Sequence, residues 1–175
     1  MTRAASAAPV VVVTGTGAVT PLGGEVESTW HGIVAGRSAV RHWDDLADEG
    51  HPVQLACRVD DAVWGDDIPT ARRRGRALAL RAAREALGRA GLLAPDGGLV
   101  EGLDPARVGV FVGTTMGESG VYEASLGAAG FDLAEGGPQV FAETVARDHG
   151  ITGPRRTLGT ACAAGNYAVG AAARA

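Results

Sequence analysis

Two runs of β-branched residues end abruptly in glycine: "VVVVTG" from residue 10 and "RVGVFVG" from residue 107. Neither alternates apolar with polar residues, so each reads as a strand covered on both faces, the setting of a parallel sheet. Parallel strands cannot be joined by tight turns and need crossover segments, usually helices, that pack back on the sheet. A chain built on such strands is thereby steered to a layered α/β design.

The intervening segments supply the helices. "GGEVESTWHGIVAG" carries Trp30, Ile33 and Val34 at helical spacing and closes on Gly36, which predicts a helix over about 25–35. "VQLACRV" at 53–59 reads as a short strand. The clearest helix is "ARRRGRALALRAAREALGRAG". Leu80, Ala83, Leu87 and Ala90 share one face there, Arg81, Glu85 and Arg89 form an opposed ladder, and Gly91 supplies the stop. Residues 91–105 form a loop, two more helices are expected over 118–129 and 138–148, and "RRTLGT" is a further strand running into a cysteine and an Ala-rich helix. The expected order is strand, helix, strand, helix, strand, helix, helix, strand, helix, with one domain over 1–175 and no internal repeat.

Composition removes several function classes. With 46% apolar and 21% charged residues the chain has the makeup of a folded protein, and its 27 glycines point to close backbone packing. A net charge of -4, without aromatics interleaved in a basic stripe, argues against a nucleic-acid surface. All 16 basic residues are arginine, so neither a P-loop lysine nor a Schiff-base lysine can come from this chain. No apolar run approaches the roughly 20 residues that cross a bilayer. The N-terminal stretch lacks a convincing cleavage region for export. A soluble, cytoplasmic protein with reduced thiols is expected.

Several motifs carry little. "GTGAVTPLG" follows the first strand, but Thr20 stands where a dinucleotide-binding turn needs its third glycine. His31, His42, His51 and His149 show no metal spacing with either cysteine, so no metal site is expected. "RRRGR" at 72–76 is either a solvated helix start or a docking face for an acidic partner. Cys57 reads as a small core residue on a strand.

Cys162 is different, because a predicted strand ends just before it and a helix begins just after it, with Ala163, Ala164 and Gly165 leaving room for a substrate. Unpaired backbone N–H groups and the positive end of the helix dipole there favour a thiolate, and the same amides can hold a developing oxyanion. The alternative is a buried cysteine on a small-residue helix, since no base can be assigned nearby.

With these residues in view, the chain resembles the β-ketoacyl synthases (ketosynthases) of fatty-acid and polyketide assembly, in the thiolase superfamily. "VVVTGTGAVTPLGG" is similar to the family's opening strand and turn, "ALRAAREALGRAGL" to its long helix, and "RVGVFVGTTMGE" to its next strand and glycine loop. Most specific is "GITGPRRTLGTACAAGNYAVGAA", which resembles the nucleophile elbow with Cys162 in the acylated position. The resemblance implies a thiolase-like layered α/β fold and a decarboxylative Claisen condensation. An acyl group passes from a carrier-protein phosphopantetheine to Cys162, whose amide is one oxyanion donor, and a malonyl unit on a carrier protein then loses carbon dioxide and attacks the acyl-cysteine. No cofactor is implied beyond that carrier-borne arm, and the implied partners are acyl carrier protein and a like or ketosynthase-like subunit in a homodimer or heterodimer.

The resemblance also implies what is missing. Members of the family are more than twice this length, with two catalytic histidines and a supporting lysine downstream of the cysteine, and none of the four histidines here stands in a matching motif. The chain is therefore expected to be an N-terminal half that ends soon after the elbow and lacks condensing activity by itself. The loop matching "GTTMGES" places Met116 near the acyl pocket, and Arg72, Arg73, Arg74 and Arg76 become candidates for docking an acidic carrier. Two other readings are a non-catalytic, chain-length-controlling partner subunit, which retention of Cys162 disfavours, and a coenzyme A-dependent thiolase-type enzyme, which the "GITGP" lead-in fits less well.

Overall fold

The structure is a computed structural model describing residues 10–126, 130 and 132–175. Seven helices and four strands follow in chain order among them. They are α1 (Val26–Val34), β1 (Arg41–His42), α2 (Asp44–Asp48), β2 (Leu55–Ala56), α3 (Arg74–Arg89), β3 (Val110–Gly113), α4 (Ser119–Ser125), α5 (Leu133–Gly136), α6 (Gln139–Asp148), β4 (Arg155–Leu158) and α7 (Ala164–Ala172).

The centre is a parallel pair, β3 and β4, in register from Val110 opposite Arg155 to Gly113 opposite Leu158. The period of two along β3 sorts its side chains into two layers. Val110 and Val112 join a core with Ala142, Val145 and Ala146 of α6 and with Ile151, with Ala83 of α3 packed against it. Phe111 shares a cavity lining with Ala172 and Ala175, and Gly113 touches the first turn of α7. Helices thus cover the pair from both sides, as the uninterrupted apolar run of β3 requires. Helix α6 is the crossover that makes the parallel pairing possible.

The expected helices over 25–35, 71–91 and 138–148, and the strands at 107–113 and 155–160, are found within a few residues of those limits. The expected helix over 118–129 is α4, ending at Ser125; residues 127–129 lie outside the described residues.

Four expectations are corrected. The "VVVV" run joins no ladder among the described residues, and Val10–Val13 are 61–88% exposed. The segment after it is strapped to α3: a Cβ on Gly15 would lie 2.2 Å from the Ala86 carbonyl oxygen, and one on Gly17 would lie 2.0 Å from that of Ala82. β-Branched composition favours an extended backbone without choosing its partner. The strand at 53–59 shrinks to two residues paired antiparallel with β1, apart from the parallel pair. Cys57 lies beyond the end of that short ladder and is exposed rather than core. On α1, Trp30, Ile33 and Val34 face outward, whereas Thr29 and Gly32 are the buried positions.

The ladder on α3 is half realised. Glu85 pairs with Arg89 at 3.1 Å, but Arg81 donates to the Gly24 carbonyl instead. Glu85 also accepts from the backbone N–H groups of Ala18 at 2.9 Å and Val26 at 3.0 Å, which pins the N-terminal segment and α1 to α3. Burial opposes ionisation of Glu85, but these two N–H groups and the Arg89 charge outweigh it and hold the carboxyl below its ordinary value. Among the described residues no helix is long and apolar enough to cross a membrane.

Candidate active site

β3 and β4 end side by side, and the two loops that matter leave from this edge. The Thr114 N–H still donates to the Leu158 carbonyl at 3.1 Å, so residues 114–118 and 159–162 diverge from one point. Loops at the carboxyl ends of parallel strands are where α/β folds build their sites.

The chain leaves β4 through Gly159 and Thr160 and turns sharply at Ala161, whose φ is +48°. It is the one non-glycine residue with positive φ among the described residues, a conformation that costs an L-residue roughly 1–2 kcal/mol. Cys162 follows within a single helical turn, Ala161–Ala163, that runs directly into α7. Two contacts hold the turn. The Ala163 N–H donates to the Thr160 carbonyl at 3.2 Å, and Gly113, having no side chain, lets the backbone of Ala164 and Gly165 lie against β3.

Cys162 is exposed in this chain, in the turn that precedes α7. As the second residue of a helical segment its N–H has no intrahelical acceptor. Among the described residues no hydrogen bond reaches its Sγ, and no group of three His, Cys, Asp or Glu side chains could hold a metal ion. His149 is a core residue: it is 1% exposed, with Nδ1 donating to the Gly97 carbonyl at 2.7 Å. His31, His42 and His51 are surface residues beside Glu27, Asp44 and Glu49.

Met116 lies on the other loop. It helps line an open groove of about 290 Å³ with Tyr122, Leu133 and Pro138, and Cys162 is not part of that lining. The four arginines of the helix start divide into two pairs. Arg74 donates to the Val59 carbonyl and to Asp61, each at 2.8 Å, and Arg76 is held by Glu118 and Glu135, whereas Arg72 and Arg73 are exposed.

Two residues escaped the sequence reading. Ala161 is chemically indistinguishable from the alanines around it, and only a glycine there would have signalled the left-handed turn. Glu118 is 2% exposed and accepts from the Gly75 and Arg76 N–H groups at the start of α3, a contact across 42 residues that no local pattern announces.

The family model described as beta-ketoacyl synthase, N-terminal domain, matches residues 8–175. The chain belongs to this family. It is 29% identical over 189 residues to the 3-oxoacyl-[acyl-carrier-protein] synthase 2 of Rhizobium meliloti (strain 1021), a match covering 94% of this chain and 42% of that protein. Among solved structures it resembles a beta-ketoacyl synthase from Burkholderia phymatum STM815, with a TM-score of 0.68 and 27% identity over 93% of this chain and 42% of that one. The ishigamide ketosynthase/chain length factor gives the same TM-score at 30% identity, over 93% of this chain and 44% of that one. The fold is therefore that of the ketosynthases, and the chain spans about two fifths of the length of the curated synthases it matches.

Proposed function

We propose that this chain supplies the nucleophile-bearing half of a β-ketoacyl-[acyl-carrier-protein] synthase. The observation that carries the reading is the exposed Cys162 on a strained strand-to-helix turn, in a chain that belongs to the synthase family. Strain at such a turn lifts a nucleophile out of the backbone so that a substrate can reach it.

In the acylation step the Cys162 thiolate attacks the carbonyl carbon of an acyl thioester borne on carrier phosphopantetheine. The Cys162 N–H donates to the oxyanion that forms, and collapse of the tetrahedral adduct expels the pantetheine thiolate, leaving acyl-Cys162. In the condensation step a malonyl thioester on a carrier loses carbon dioxide. Its carbanion attacks the acyl-cysteine carbonyl, and the Cys162 thiolate leaves as the β-ketoacyl thioester forms. The groups that promote decarboxylation are assigned to the part of the relatives that this chain does not span, so the chain alone transfers acyl groups without condensing them.

No dissociable cofactor enters these steps. The carrier docks at Arg72 and Arg73, the two arginines of the cluster that make no ion pair among the described residues, through long-range attraction to its acidic surface. The protein works in the cytoplasm as a homodimer, or as a heterodimer with a ketosynthase-like subunit, in fatty-acid or polyketide assembly.

Presenting one acyl group on a carrier and on coenzyme A separates this reading from its rivals. Faster acylation of Cys162 from the carrier is expected. A preference for coenzyme A would mean a thiolase-type enzyme, and a folded protein that accepts neither would mean a non-catalytic partner subunit.

A further inference from the structure

The groove beside Met116 has two walls, and one side chain ties them together. The first wall is the loop that leads into α4, with Met116, Glu118 and Tyr122; the second is α5 and the turn after it, with Leu133 and Pro138. Arg76 reaches both. Its Nε donates to Glu118 Oε1 at 3.1 Å, and its Nη2 meets Glu135 Oε2 at 3.3 Å and the Glu135 carbonyl. Arg76 is 14% exposed and Glu118 only 2%, so this part of the brace is shielded from water, where charge-assisted hydrogen bonds hold their geometry best.

Glu118 is fixed on its other side as well. Its carboxylate caps the first turn of α3 through the Gly75 and Arg76 N–H groups, and its own N–H donates to the Gly136 carbonyl at 2.9 Å. Gly117 allows that approach, since a Cβ there would lie 1.8 Å from the same carbonyl oxygen. The loop carrying Met116 therefore cannot shift relative to α5 without disturbing Arg76, Glu118 or both.

We infer that the Arg76–Glu118–Glu135 brace sets the width of the Met116 groove and so determines which acyl chains the protein accepts. This rests on the proposed function and on the groove taking the acyl chain, the place the resemblance implies for Met116, and adds specificity-determining residues that do not touch the reacting atoms. Glu118 and Arg76 are positioning residues: they act through the loop, while the contacts to the chain are made by Met116, Tyr122 and Leu133. Arg76 is suited to the task because a planar guanidinium can grip two carboxylates at once, which an ammonium cannot do with the same geometry.

The test is a competition in which an equimolar mixture of a short and a long acyl-carrier donor is offered to the natural polypeptide carrying these residues. The two adducts on Cys162 are then counted by intact mass. In Glu118→Gln and Arg76→Gln the long-to-short ratio is expected to change by about tenfold, the low end of what pocket contacts give per methylene. Arg76→Lys should fall between wild type and Arg76→Gln. Glu135→Gln removes only the outer, half-exposed contact and keeps the test alive if the buried variants fail to fold. An unchanged ratio in folded variants, or a loss equal for both donors, overturns the brace as a determinant of specificity. Absence of any adduct on the wild type instead overturns the acylation reading on which the brace depends.

Discussion

Gly113, the last residue of β3, lies so close to Ala164, the first residue of α7, that a Cβ on it would stand 2.3 Å from the Ala164 carbonyl oxygen. This contact fixes the height of the helix on the strand, and with it the position of Cys162 two residues upstream. Gly113→Ala must push the helix away. Overpacking of this kind costs about 1–3 kcal/mol, measured as a lower urea midpoint, and acylation of Cys162 should fall further than the loss of folded protein explains.

The left-handed Ala161 gives a second, opposite pair of outcomes. Ala161→Gly removes the Cβ penalty and should raise unfolding stability by up to about 1 kcal/mol, the gain being reduced by glycine's greater freedom in the unfolded chain. Ala161→Val, β-branched at the same dihedral, should lose roughly 1–3 kcal/mol. Denaturant titration of the two variants checks both signs.

The sequence made the central layers readable because two local signals agreed there. The apolar run of β3 and the helix expected over 138–148 each had a partner within the chain. The run at Val10–Val13 and the outward face of α1 carried equally strong signals without a covering surface among the described residues, so pattern and burial parted company. At the site, Cys162 stood out because small residues and a change of period surround it. Ala161 and Glu118 stayed hidden because a dihedral angle and a contact across 42 residues leave no local trace.

Glu85 makes stability depend on pH in a definite direction. Its carboxyl is held below its ordinary value of 4.5 in the folded chain. The contribution is therefore complete above that value and is lost as the pH falls through the lower folded value, where the native carboxylate takes up a proton. Unfolding measured from pH 7 into this acidic window should show a steeper loss for wild type than for Glu85→Gln, whose side chain does not titrate.

Met116 is expected to limit chain length directly. Replacing it with Phe or Trp narrows the groove it lines and should shift acylation toward shorter donors. Rates across a series of acyl-carrier donors of increasing length provide the check, and an unshifted optimum would separate Met116 from the acyl path.

The carrier-docking assignment distinguishes neighbouring arginines. Arg72→Glu and Arg73→Glu should weaken carrier binding and flatten its salt dependence, because exposed charges act through screened long-range attraction. Arg74→Gln, which breaks contacts to Val59 and Asp61, should lower stability while leaving that salt dependence in place. Binding titrations at two ionic strengths separate the two effects.

The most direct measurement is the intact mass of the natural polypeptide carrying these residues, before and after incubation with an acyl-carrier donor, alongside its Cys162→Ala variant. A single acyl adduct that maps to Cys162 and is absent from the variant is the expected result. An adduct on Cys57, one that persists in the variant, or none on a folded protein would contradict the assignment of Cys162 as the acyl acceptor.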